Sequence, residues 1–144
     1  MSAMSDYLEN SLIDQLFRGQ SAPTTSTLYV SLFTAAPNDT GGGTELTGSA
    51  YARVAVTSAL TAWAGTQSAG STTSSSGTGG ATSNNTVITF PEPTSSWGEV
   101  VAFGVHDASS GGNLLFHGSL SINKTINQGD TVSFPAGSLA VTFA

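Results

Sequence analysis

Apolar positions along the chain form one helical stripe followed by a series of short runs of β type. Between Ser5 and Gly19, the residues Leu8, Leu12, Ile13, Leu16 and Phe17 recur near a 3.6-residue period, which predicts an amphipathic helix. Its ends are punctuated. Ser5 or Asp6 is placed to cap the start, Asp6 and Glu9 suit the positive end of the helix dipole, and Arg18 with Gly19 suits the finish. A helix of about 14 residues is marginal by itself, so its apolar stripe is expected to dock on its own sheet or on a neighbouring subunit.

After Pro23 the pattern turns to β. Leu28 to Phe33 is dense in strand formers, and Ala35 to Gly43 reads as a long loop from its Pro, Asn, Asp and Gly content. A second strand is expected over Ala52 to Ala59, where Val54 and Val56 alternate with Arg53 and Thr57. Residues 65–86 are almost entirely Gly, Ser, Thr, Ala and Asn, a composition that predicts a flexible linker, or an extended arm or wide loop, partly strand-paired, lying on a neighbour. Further runs follow at Val87 to Phe90, Val100 to His106, Asn113 to Ile122, Thr131 to Phe134 and Leu139 to Phe143. Asp107 to Gly112 forms the hairpin loop between the second and third of them. The expected fold is mainly β, an antiparallel β-sandwich or small barrel with one N-terminal amphipathic helix. It is read as a single domain over 1–144, with the helix at 5–19, the arm at 65–86 and the β core at 28–64 and 87–144.

Composition narrows the function classes. Of 144 residues, only 12 are charged while 42 are Ser or Thr, so the chain is poor in the acids, bases and imidazoles that perform chemistry. A net charge of −6 with three cations leaves almost nothing to displace counterions from a phosphate backbone, which argues against nucleic-acid binding. Cysteine is absent, removing disulfides, thiolate catalysis and sulfur-ligated metals. No run approaches the ~20 apolar residues of a membrane span, and the N-terminus lacks the pattern of a signal peptide; no membrane insertion is expected.

The candidate chemistry is sparse. His106 with Asp107, and His117, are the imidazoles from which a hydrolytic triad would have to be built, but no Gly-x-Ser-x-Gly elbow marks a nucleophile. Asp107 is instead expected to open the hairpin turn by accepting backbone N–H bonds, with His106 and His117 as cross-strand neighbours able to hold a metal between subunits. Asp39 and Glu45 in their Gly-rich loop match no EF-hand spacing and read as loop punctuation. No catalytic residue, cofactor or metal site is assigned. Arg53 and Lys124 are expected to find acidic partners such as Glu45 or Asp130, because an unpaired buried cation is costly. Trp63 and Trp97 read as loop anchors in the core or, functionally, as interface anchors.

Several segments together carry a resemblance: Asp6-Tyr7-Leu8-Glu9-Asn10 leading to Leu16-Phe17-Arg18-Gly19, Leu28-Tyr29-Val30 through Asn38-Asp39, Gly48 to Val56, Phe103 to Ala108, and Gly111 to Gly118. Over nearly its whole length the chain resembles small tailed-bacteriophage virion proteins commonly labelled tail fibre proteins, with relatives similar to capsid decoration or minor capsid proteins. The resemblance implies a non-enzymatic structural role in the virion. A small domain without a shaft favours a decoration, or cement, protein on the capsid surface, with the major capsid protein and itself as partners, as a homotrimer. The alternative is a tail fibre or tail-tip protein that meets tail proteins or the host receptor, for which exposed aromatics such as Tyr51 or Trp97 would serve. A hydrolase built on His106 or His117 is the remaining rival. Leu12, Leu16, Phe17, Trp63 and Trp97 are the candidate interface residues.

Overall fold

The computed structural model describes residues 2–143. In chain order the elements are β1 (Ser2–Met4), α1 (Asp6–Phe17), β2 (Thr27–Ala35), β3 (Thr44–Glu45), β4 (Val54–Thr57), β5 (Ala81–Ser83), β6 (Ile88–Thr89), β7 (Gly98–His106), β8 (Leu114–Ile126), β9 (Ser133–Phe134) and β10 (Ala140–Thr142). The fold is mainly β with antiparallel pairing throughout, as expected. The main sheet runs β1-β8-β7-β2-β3, with β4 also paired to β2, and it remains open rather than closing into a barrel. Two small ribbons, β5 with β10 and β6 with β9, lie outside it.

Period-two alternation sorts the central strands. In the β2–β7 pair, Val30 opposes Val105 and Leu32 opposes Phe103, while the intervening Ser31 opposes Gly104. The first set faces the core, where Val30, Leu32, Phe103 and Val105 join Leu46, Ile88, Phe90, Trp97, Leu139 and Val141 from the loops and ribbons. The second set, Ser31, Phe33, Gly104 and His106, faces the other way, towards the loops at 36–43 and 107–113.

Residues 65–86 fold back on their own chain instead of reaching out as an arm. Ala81, Thr82 and Ser83 pair with β10, and Asn84 forms a bridge with Trp63. Asn84 is wholly buried. Its Nδ2 donates to the carbonyls of Thr86, Phe134 and Pro135, and its Oδ1 accepts from the Leu139 N–H at 2.9 Å. One amide thus satisfies backbone groups from both sides of the junction, which allows a segment with so few apolar side chains to be ordered. Nearer the loop tip, Gln67 gathers Ser71, Thr73, Ser74 and Ser76 around its own amide.

Other boundaries also differ from expectation. β1 was not foreseen, because three residues carry no period; it is defined by its pairing with Phe116 to Gly118 of β8. β8 runs four residues beyond Ile122, to Ile126. His106 and His117 are not cross-strand neighbours: a register irregularity after Val105 sets His106 opposite Leu114, and His117 opposite Gly104. No helix among the described residues is long and apolar enough to cross a membrane.

Candidate functional site

Two features stand apart from the core: a polar cluster behind the central strands, and helix α1. The cluster is built on Arg53. Its Nε and Nη2 meet Glu45 Oε1 and Oε2 at 2.8 and 2.7 Å, and its Nη1 reaches the carbonyls of Ala108 and Gly111 at 2.8 and 2.9 Å. The guanidinium is almost completely buried and fastens the β3 edge to the 107–112 hairpin loop. Tyr51 completes the edge, its hydroxyl donating to Glu45 Oε1 at 2.9 Å and accepting from the Leu32 N–H at 3.0 Å. Burial raises the Tyr51 phenol above its ordinary range. Burial would also raise the Glu45 carboxyl, but the hydrogen bonds from Arg53 and Tyr51 and the charge of Arg53 outweigh it, leaving that carboxyl below its ordinary value.

The hairpin loop is shaped to receive this guanidinium. Asp107 Oδ1 accepts from the Asn113 N–H at 2.7 Å and Oδ2 from Asn113 Nδ2 at 2.8 Å, the turn-opening role expected of it. Gly112 closes the loop at φ +67, where a Cβ would lie 2.5 Å from Asp107 Oδ1. Gly104 is required by contact: a Cβ there would lie 2.7 Å from Ser31 Oγ and 2.8 Å from the Phe33 ring.

Ser31 and His106 sit against that glycine, with His106 Nε2 2.9 Å from Ser31 Oγ and its ring stacked on Phe33. Burial first, and the nearby charge of Arg53 second, push the imidazole down to about 4. The pair has the distance of a nucleophile and base but lacks the rest of a triad. Ser31 is wholly buried, and the buried Nδ1 of His106 has no hydrogen-bond partner, whereas an orienting carboxylate would have to stand there. His117, opposite Gly104 on β8, is bonded through Nε2 to Asp39 Oδ1 at 3.0 Å. Among the described residues no three His, Asp or Glu side chains gather as a metal site. The cavity of about 440 Å³ beside the cluster is lined by Glu45, Arg53 and His106 and by the first turn of α1.

The helix is held firmly at its root. Ser5 is buried; its N–H donates to Leu115 O at 2.9 Å, its hydroxyl donates to Leu114 O, and the same Oγ accepts from the Leu8 N–H at 3.3 Å as the N-cap. Asp6 N–H donates to Asp39 O at 2.9 Å. Beyond this root no helical residue is buried, and Ile13, Leu16 and Phe17 are 50, 71 and 81% exposed. The C-terminal part of the stripe, Ile13, Leu16 and Phe17, therefore stands clear of its own sheet, while Leu8 and Leu12 are half-buried.

The candidate interface residues separate accordingly. Leu16 and Phe17 lie on the exposed helix, with Leu12 half-buried nearer the root. Trp97 belongs to the core of its own chain, its Nε1 donating to Ser49 O at 3.0 Å, and Trp63 is half-buried against that core. Tyr51 is packed edge-on to Trp97, so neither aromatic is the exposed ring that a glycan surface would use. The expected Arg53–Glu45 pair is present, while Asp130 serves the Asn127 N–H rather than Lys124. Asn84 and Tyr51, the two polar side chains that tie separate segments together, were missed as such; only an isolated Asn or Tyr inside an apolar setting marks them in sequence.

No curated protein sequence matches the chain. Residues 3–142 match the model of the family described as Podophage GP4 fiber I protein gp80. That match takes in both the helix and the sheet to which it is fastened, in line with the resemblance noted above, and the chain belongs to this family of phage fibre-type structural proteins.

Proposed function

We propose that the chain is a non-enzymatic building block of the virion, held in the particle through helix α1. The observation that carries this reading is the helix itself: a rooted, capped element whose apolar side chains are exposed on a protein whose core is complete without them. Exposed apolar patches of this kind mark interaction sites. The buried Ser31–His106 pair, closed to substrate on the hydroxyl side and without a carboxylate on the imidazole side, supports a structural rather than hydrolytic use of that histidine.

The family's description favours a place in a fibre, with tail proteins as neighbours. Compactness favours a second reading, a decoration protein on the capsid surface bound to the major capsid protein, since the sheet and its ribbons converge on one core and provide no shaft. Copy number and position separate the two. Cryo-EM of intact virions with quantitative gel densitometry is expected to find a few copies at the tail for the fibre reading; hundreds of copies on the head would give the decoration reading. Absence from the particle would sink both. Leu16→Glu with Phe17→Glu is expected to abolish incorporation while leaving the isolated protein folded.

A further inference from the structure

The core face of the main sheet is covered at one end only in part. A groove of about 390 Å³ opens between β7 and β8 on one side and the β9–β10 region on the other, lined by Leu32, Phe103, Leu120, Ile122, Phe134 and Leu139. Its rim is the far half of β8. Among the described residues β1 pairs with β8 over Phe116 to Gly118, no named strand pairs with the outer edge of β8 beyond that, and Ile122 there is 68% exposed. Lys124 lies on the same rim.

Charge identifies what the groove would accept. Among the described residues Arg18 pairs with Asp14 and Arg53 with Glu45, leaving Lys124 as the one Lys or Arg in no ion pair. On α1, Glu9 precedes Leu12, Ile13 and Leu16 by three, four and seven residues, so this exposed carboxylate lies within the apolar face. An acid set among exposed apolar residues calls for an apolar groove with a cation at its edge, and this chain carries one. Its own helix does not occupy it. The first turn of α1 lines the cavity on the opposite face of the sheet, beside His106, and the helix buries no residue.

We propose that the exposed face of α1 docks into this groove on a second copy of the chain, with Glu9 meeting Lys124. The proposal rests on the assembly reading above and names the partner. Helix and groove are different patches, so the contact is heterologous: it closes into a ring if the rotation allows and otherwise grows as a filament. Helix-in-groove recognition supplies the apolar anchors, and the Glu9–Lys124 pair fixes the register.

Sedimentation velocity of the purified full chain over a concentration series tests it. The chain is expected to associate, Glu9→Lys and Lys124→Glu each to weaken association about tenfold, and the double reversal to restore it to within about threefold. Both positions are exposed, and unchanged circular dichroism and melting temperature establish that the variants fold. A chain that stays monomeric at millimolar concentration, or an oligomer indifferent to both single reversals, overturns the proposal. If the chain is monomeric and Glu9→Lys nevertheless blocks incorporation into virions, the helix serves a different virion protein: self-docking fails while the assembly reading stands.

Discussion

In β2, Val30 and Leu32 are buried beneath Phe103, Val105 and the aromatic residues of the ribbons, whereas in α1 Leu16 and Phe17 of similar hydrophobicity stand in solvent. Both segments are ordered, but by different means. β2 is paired on both edges, to β7 along one and to β3 and β4 along the other, so its side chains are placed by the sheet. α1 is fixed at its root, by the bonds of Ser5 and Asp6 and the half-buried Leu8 and Leu12, and beyond that by its own ladder. The contrast separates apolar residues that hold the fold together from apolar residues that the fold leaves exposed.

The sharpest way to break the comparison is to make the same truncation in each region. Leu32→Ala removes a fully packed side chain and is expected to cost about 2–5 kcal/mol by transfer and cavity terms together. Leu16→Ala, on a surface that nothing covers, is expected to stay within about 0.5 kcal/mol in the isolated protein. Urea unfolding of both variants at low protein concentration checks the pair; a loss of more than 2 kcal/mol for Leu16→Ala would show that the helix is already docked in the monomer.

Arg53→Ala comes next, at about 3 kcal/mol. It strands the partly buried Glu45 carboxylate and leaves the carbonyls of Ala108 and Gly111 without their donor. Amide exchange should accelerate across residues 107–113 while α1 is unaffected, because the two regions share no bond through Arg53.

The histidine gives a pH-dependent version of the same test. His106 titrates at about 4 in the folded chain against 6.5 ordinarily, so between those values the unfolded state binds more protons. The stability it contributes is complete above about pH 6.5 and falls as the pH drops towards 4, by about 3 kcal/mol in total. Glu45, also depressed when folded, adds a further loss that begins as the pH drops through its unfolded value of 4.5. Thermal melts from pH 7 to 4 are expected to show this decline, and His106→Gln should flatten the upper part of it. An unchanged slope in the variant would mean that His106 is not the group responsible.

How much of this was legible in the sequence follows from which elements have a period. The helix, β2, β7 and the hairpin loop were readable because a stripe, a dense apolar run or a cluster of turn residues spans enough positions to register. The Arg53–Glu45 pair was readable from scarcity, since a chain with three cations has few partnerships to offer. β1, β3 and β5 were not, being two or three residues long and defined by what they pair with, whereas β6 and β9 fall inside the apolar runs at Val87 to Phe90 and Thr131 to Phe134. The segment 65–86 stayed open between a linker and a partly strand-paired loop for a related reason: the buried amide of Asn84 ties it down, and composition reports the many small residues around it. The helix stripe was legible as an apolar face, but its phase alone does not say what covers it.

Ser5→Ala, the smallest of the expected losses, probes the junction between the two regions, only the near-neutral Leu16→Ala lying below it. The hydroxyl accepts from the Leu8 N–H as the helix cap and donates to Leu114 O at the start of β8, so one atom joins the first turn of α1 to the sheet. Loss of the cap costs about 1 kcal/mol, and the buried carbonyl left without its donor adds a comparable amount. Because the backbone bonds from Ser5 to Leu115 and from Asp6 to Asp39 remain, the sheet should keep its stability while the helix frays from its root. Amide exchange is expected to rise over Asp6–Phe17 with little change in β2 or β7. If the helix is what a partner grips, association should weaken in this variant although every apolar residue of the docking face is intact; an unaltered association constant would instead mean that the partner orders the helix itself.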